Sequence, residues 1–258
     1  MTFSLRLSAD LALALAARAI GGKHSSPPIL HLSPEGDFDS ALASFSTSSP
    51  ETGDASFQSV ARVSRYRSPI IWIGGSEPLD HPQVAGFTNA LAASGRQVFV
   101  ETSGASLRRR LHEFQPSSRF YFTVRFDGYK PSHDRSIVSE HVFQTGFEAI
   151  RMARLAGFLT CASLVLHPET GTGRIEGLHA EIRKLDVDGF LITPGTFMPE
   201  LLKEVIQVRR RLLPRRWAVI SSLLDSRTAP ATSQIFRNSE RQPLPESQQE
   251  SFGESAEA

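Results

Sequence analysis

The residues best suited to chemistry in this chain stand in short clusters, each placed just after a run of apolar residues. Gly74-Gly75-Ser76-Glu77-Pro78-Leu79-Asp80-His81-Pro82 follows the run 70–73, and Glu101-Thr102-Ser103-Gly104 follows 97–100. Asp127-Gly128, with His133-Asp134-Arg135 beyond it, follows 121–126, and Thr193-Pro194-Gly195 follows 190–192. Carboxylates and histidines brought together could move protons. Glycines beside them would let backbone N–H groups approach a ligand. Each cluster alone is also ordinary turn chemistry, because Gly, Pro, Ser-Gly and Asp-Gly close turns after strands. His81 and His133 singly read as surface or capping residues, and His167-Pro168-Glu169 as a bare loop. The histidines lack ligand spacing, so a zinc site is rejected. What argues for a site is that four clusters occupy the same place in four of the repeated units.

Those units are an alternation of strand and helix patterns. Strands are predicted over 29–32, 70–73, 97–100, 121–126, 159–166 and 190–192, where short apolar runs are bounded by Gly and Pro. Helices are predicted over 83–93, 107–114, 142–156, 174–185 and 200–213. Gly95 and Gly157 stand where helix C-caps fall. The run 217–220 reads as a last strand. Residues 33–69, rich in Ser, Pro and Gly and with one weak helical pattern near 38–45, read as a functional loop or the remnant of one. Strand then helix, repeated about six times, builds a parallel sheet covered by helices. Periodicity alone leaves a barrel and an open doubly wound sheet both standing, and both put ligand chemistry at the carboxyl ends of the strands.

Composition narrows the function. The chain has 258 residues, with 28 Lys+Arg against 27 Asp+Glu. A general electrostatic nucleic-acid binder needs a stronger basic excess, so nucleic acid is not expected as a partner. The single cysteine, Cys161, allows no intrachain disulfide, no zinc ribbon and no Cys-ligated iron–sulfur cluster. The apolar stretch 11–17 lies within an N-terminal helix predicted over 3–20 and ended by Gly21-Gly22. It is too short to span a bilayer and lacks the leading positive cluster of a signal peptide. That helix is expected to pack across the open side or bottom of the fold, with peripheral membrane contact as the alternative. The basic run 209–216 suits a helix C-terminus better than an anion site. Residues 226–258, with Pro230, Pro243 and Pro245 among Ser, Gln and Glu, read as a disordered tail. The expected division is 1–26 helix and linker, 27–225 sheet domain, and 226–258 tail, in a cytoplasmic protein, with the inner-membrane surface as the peripheral alternative.

The clusters together resemble the radical S-adenosylmethionine (SAM) family. Gly75-Ser76-Glu77-Pro78-Leu79-Asp80-His81-Pro82 is similar to the family's Gly-Gly-Glu-Pro-Leu-x-His-Pro motif, with Ser76 in place of the second glycine. Thr102-Ser103-Gly104 resembles its Thr-Asn-Gly. Phe126-Asp127-Gly128 with His133-Asp134-Arg135 resembles its Leu-Asp-Gly and following His-Asp segment. Within the family the likeness is nearest to the branch acting in hopanoid biosynthesis, which attaches adenosyl to a hopene. It extends over about residues 3–225, including Phe122 to Leu166, Val187 to Gly195 and Pro28 to Pro34. The resemblance implies a partial (β/α)6-type parallel barrel with an N-terminal helix. It also implies cofactor-binding roles for Gly75, Ser76, Glu77, Pro78, Thr102, Ser103, Gly104 and Asp127.

The resemblance fails at the cluster. Where the family carries Cys-x-x-x-Cys-x-x-Cys, residues 35–43 read Glu-Gly-Asp-Phe-Asp-Ser-Ala-Leu-Ala. Asp37 and Asp39 are hard oxygen donors and poor substitutes for thiolates. Cys161 reads as a small buried hydrophobe. The expectation is therefore a degenerate relative without a four-iron four-sulfur cluster. SAM, a nucleotide or a lipid remains open as its ligand, and an active radical SAM or isoprenoid-pathway protein as its partner. The alternatives are cluster-independent chemistry using Glu77, Asp127, His133 and Asp134, or an activity assigned by family alone.

Overall fold

In the computed structural model, the residues described are 5–21, 26–32, 63, 66–75, 77–127, 138–196 and 198–225. Six strands form one parallel sheet in sequence order: β1 (Ile29–Leu32), β2 (Ile70–Ile73), β3 (Gln97–Thr102), β4 (Phe120–Asp127), β5 (Leu159–Leu166) and β6 (Gly189–Pro194). The sheet curls into a half-barrel. Sequential parallel order requires every connection to cross back over the sheet, and the crossovers carry helices α2 (Val84–Ala93), α3 (Leu107–Arg110), α4 (Val138–Leu155) and α5 (Thr172–Arg183). Helices α6 (Pro199–Leu212) and α7 (Arg215–Leu224) follow β6, and α1 (Leu5–Gly21) precedes β1.

The strands alternate between two packed faces, so both residue sets along them are apolar. On β4, Phe120 and Phe122 pack against Phe114 and Phe158, while Phe126 meets Phe143 and Phe147 of α4. These even-numbered positions form the outer, helix-covered face. The odd-numbered Phe99 and Tyr121 face inward, stacked at 4.6 Å. Helix α1 lies under the amino ends of the strands: its Asp10 meets Gln97 at the start of β3 and Arg119 just before β4. The expected packing of this helix across the bottom of the fold is what the structure shows. No helix among the described residues is long and apolar enough to cross a membrane.

Residues 217–220, read from sequence as a strand, are instead part of α7. Trp217, Ile220, Ser221 and Leu224 are its buried residues, a spacing of three, four and seven that defines one helix face. A four-residue apolar window cannot distinguish that stripe from a strand. The helix lies along the free edge of β6, where Ser221 Oγ accepts from the Ile192 N–H at 3.2 Å. Arg209, only 3% exposed, donates to the Ile192 carbonyl at 2.7 Å and the Ser221 carbonyl at 3.1 Å, and pairs with Asp225. The sheet edge is thus satisfied by side chains rather than by a seventh strand. The segment 33–62 with its weak helical pattern, Lys23, and the tail 226–258 lie outside the described residues.

Two stability predictions follow from these contacts. Arg209→Met removes the buried guanidinium that binds the Ile192 carbonyl and pairs with Asp225, and should lower the unfolding free energy in urea by roughly 3–5 kcal/mol. His179, buried against Phe190 at 4.4 Å, has its pKa lowered by burial and then by Arg183. On acidification the unfolded imidazole therefore takes up its proton first, near its ordinary value of about 6.5. Stability should fall as pH drops below that value, and His179→Gln should flatten that slope in melts between pH 7 and 5.

Candidate functional site

Strand register arranges the inner face in layers. His31, Trp72, Phe99 and Tyr121 share one rung across β1–β4. Trp72 stacks on Phe99 at 5.7 Å, and Trp217 of α7 meets Tyr121 edge-on at 6.4 Å. A Cβ at Gly189 would overlap the Trp217 indole, so the glycine is what lets this plug seat on β6. The aromatic layer is an apolar floor. Burial, then the neighbouring Cys161 and Asp188, push the Tyr121 phenol well above its ordinary pKa, so its hydroxyl stays neutral.

Polar residues begin one rung toward the carboxyl ends. Glu101, Thr123, Cys161 and Gly189 lie in register, then Arg125, Ser163 and Leu191, then Asp127, Val165 and Thr193. Glu101 is 4% exposed and accepts from Trp72 Nε1 at 3.4 Å. Arg125 binds Asp127 with both arms of its fork, at 2.8 and 3.0 Å. That hydrogen bond outweighs burial and, with Coulombic attraction to Asp127 and Glu101, raises the guanidinium pKa. Sequence places Glu101, Thr102 and Asp127 in loops; the structure places all three inside strands, which run one or two residues past their apolar runs. Glu101 and Asp127 are tolerated because the inner face is polar at this height, whereas Thr102, in register with Val124 on the outer face, donates to Glu77.

The motif loop is built around Glu77. Its Oε1 accepts from Thr102 Oγ1 at 2.8 Å and from the Leu79 N–H at 3.4 Å. Its Oε2 accepts from the Ser103 N–H at 2.9 Å and Ser103 Oγ at 2.5 Å. A carboxylate offers about four lone-pair positions, so Glu77 is saturated by the chain's own donors. Thr102 Oγ1 in turn accepts from the Gly104 N–H at 3.0 Å. Gly104 adopts φ +93° and comes so near α4 that a Cβ would lie 2.7 Å from Ala149 Cβ. Pro78 is buried in the 3-10 turn Pro78–Asp80 that Glu77 caps.

Arg110 secures the same loop from below, donating to the carbonyls of Leu79, His81 (2.6 Å) and Pro82 (3.0 Å) and pairing with Glu113. Ser106 Oγ adds a 2.5 Å bond to Asp80. Of the residues singled out in sequence, Gly75, Glu77, Pro78, Ser103 and Gly104 belong to the joined loops after β2 and β3, and Thr102 is the last residue of β3. Asp127 belongs to the neighbouring β4 and is paired with Arg125. Ser76, Gly128, His133, Asp134 and Arg135 lie outside the described residues. Arg110 and Arg125 escape the sequence reading. The two-residue spacing of Arg125 and Asp127 on a strand is a signal that could have found one of them, whereas nothing local marks Arg110.

The donor set does not fit a thiolate-held cluster. Cys161 is wholly buried on β5, and burial, then Asp188, hold its thiol well above its ordinary pKa. A protonated, enclosed thiol is not a metal ligand, and the chain has no other cysteine.

Residues 56–182 match the family model described as Radical SAM superfamily. Among solved structures, the chain is similar to Streptococcus suis SuiB bound to S-adenosylmethionine: 10% identity and TM-score 0.51, over 78% of this chain and 52% of that one. SuiB bound to precursor peptide SuiA gives the same identity and TM-score, over 78% and 50%. The chain thus spans about half the length of these structures, and at this identity the likeness shows the fold. No curated protein matches the chain.

The Glu77 clamp carries a prediction. Glu77→Ala should speed hydrogen exchange at the Ser103 amide by roughly ten- to a hundredfold, the worth of one hydrogen bond to a charged acceptor. The Val98 amide, bonded within the sheet to Arg119, should be unchanged.

Proposed function

We propose that this radical SAM domain is a relative that has kept the scaffold and the rim loops but does not perform cluster-dependent radical chemistry. Its role is that of a ligand-binding or partner subunit for an active radical SAM protein, with the hopanoid or isoprenoid pathway as the setting the sequence resemblance favours. The observation that carries the reading is the donor set: one cysteine, enclosed on β5, where a three-thiolate site is required. Breaking the sulfonium bond of SAM calls for an electron delivered through an iron to which SAM is bound, and a single enclosed thiol does not hold that iron.

The rim is compatible with binding in the absence of cleavage. Glu77 holds the loops after β2 and β3 together, and above the aromatic floor Arg125 with Asp127 presents both charges near the strand ends. SAM is the ligand class we assign to this rim, its charged amino-acid end lying among these groups. An ammonium reaching Glu77 would have to displace one of the carboxylate's present donors, so affinity should be modest. The acid–base alternative loses force for a related reason: Glu77 and Asp127 are each committed to donors of the chain itself.

Anaerobic reconstitution with iron and sulfide should leave the purified protein with substoichiometric iron and no charge-transfer absorption. Calorimetric titration should show SAM binding, weakened in Arg125→Ala. With a strong reductant, no 5′-deoxyadenosine should appear. A reconstituted cluster that releases deoxyadenosine would overturn the proposal. A stable complex with an active radical SAM protein of hopanoid biosynthesis, raising that protein's turnover, would establish the partner role.

A further inference from the structure

The rim lies at one pole of the half-barrel, and the opposite pole has a surface of its own. Helix α1 uses one face to dock there: Leu7 and Leu11 are buried, and Ser8 and Asp10 bond Arg216, Gln97 and Arg119. The other face is apolar and uncovered. At 100° per residue, Leu5, Ala9, Ala12, Leu13, Ala16 and Ile20 fall within an arc of about 100° running the helix's length, about 25 Å. All are exposed, with Leu5 80%, Leu13 74% and Ile20 89% accessible. Scattered exposed leucines need no explanation, but a continuous stripe over four turns does. Leu155, 89% exposed at the end of α4, lies on the same pole.

Charge identifies what the stripe meets. The acids of this pole are neutralised within the chain: Asp10 by Arg119, Glu181 by Lys184, and Asp186 and Asp188 by Arg154. Arg6, Arg18, Arg183 and Arg215 are exposed there, and among the described residues none has a carboxylate at ion-pair distance. A pole with unneutralised cations on a chain of formal charge +1 is a segregation of charge by topology. Apolar side chains bordered by Arg6, on a pole that carries further exposed arginines, match the boundary between acyl chains and anionic headgroups. A second copy fits worse. Two such poles would repel, and three large apolar side chains with three alanines fall short of the ~800 Å² per partner of a stable interface.

We propose that the outer face of α1 rests on an anionic lipid surface, with Leu5, Leu13 and Ile20 inserted and Arg6 among the headgroups. Docked this way, the strands' carboxyl ends and the Glu77 loops point away from the membrane. The rim is left open to a soluble ligand or partner, and the inference stands whether or not that rim binds SAM.

Flotation of the full chain with vesicles tests it. The protein should float with phosphatidylcholine vesicles containing phosphatidylglycerol, and should be largely released by molar salt. Arg6→Glu, which reverses the charge bordering the stripe, should weaken partitioning by about tenfold. Leu13→Glu with Ile20→Glu should abolish it while leaving the circular dichroism and melting temperature intact, since both positions are exposed. A Leu13→Trp reporter should shift its emission to the blue on anionic vesicles. Wild-type protein that does not float, that floats equally on pure phosphatidylcholine, or that floats despite the double glutamate substitution would overturn the proposal. So would a wild-type dimer in sedimentation equilibrium that the same double variant dissociates, which would assign the stripe to a second copy.

Discussion

A parallel sheet that curls without closing must end somewhere, and its last strand then carries backbone groups that face neither water nor another strand. The fold depends on how β6 meets that requirement. Ile192 has its N–H taken by the Ser221 hydroxyl and its carbonyl by the Arg209 guanidinium, so α6 and α7 substitute for the absent strand. Because Arg209 must also reach Ser221 and Asp225, the two helices are fixed relative to the sheet. That placement seats Trp217 against Gly189 and Tyr121. The aromatic floor, and with it the height at which the polar interior begins, follows from the treatment of one sheet edge.

Above the floor, structure and chemistry compete for the same side chains. Glu77 sits in the motif most suggestive of ligand binding, yet its carboxylate is filled by Thr102, Ser103 and Leu79. Such a saturated carboxylate is a strong joint, and its charge-assisted hydrogen bonds make two loops behave as one lip. Asp127 is likewise held by Arg125. This arrangement suits recognition by a preformed surface better than proton transfer, which needs a group able to change its partners. The enclosed thiol of Cys161 points the same way, since it contributes packing where metal chemistry would demand a reachable thiolate.

The two poles are therefore unlike. At the carboxyl ends of the strands, polar residues from neighbouring strands converge in register. At the amino ends, an apolar helix face lies among arginines whose acidic neighbours are already neutralised. Formal net charge hides this difference because it averages over the whole surface, and the field that a partner meets is local.

Sequence alone determined the alternation of strands and helices: β1, β2 and β5 begin and end where the mainly apolar runs do, because short apolar runs bounded by Gly and Pro have few other uses. It also determined that the chain carries a single cysteine, and it drew together the residues after β2 and β3 through their likeness to a family motif. Tertiary structure decided what those residues do. That Glu101, Thr102 and Asp127 lie within strands, that Glu77 is a joint, that Arg110 holds three carbonyls, and that 217–220 is helical all depend on partners distant in the chain. No local pattern encodes such partners. The two apolar faces of α1 show the division most clearly: the sequence displays a helix apolar on much of its surface, and only the docked position shows which side the sheet has used.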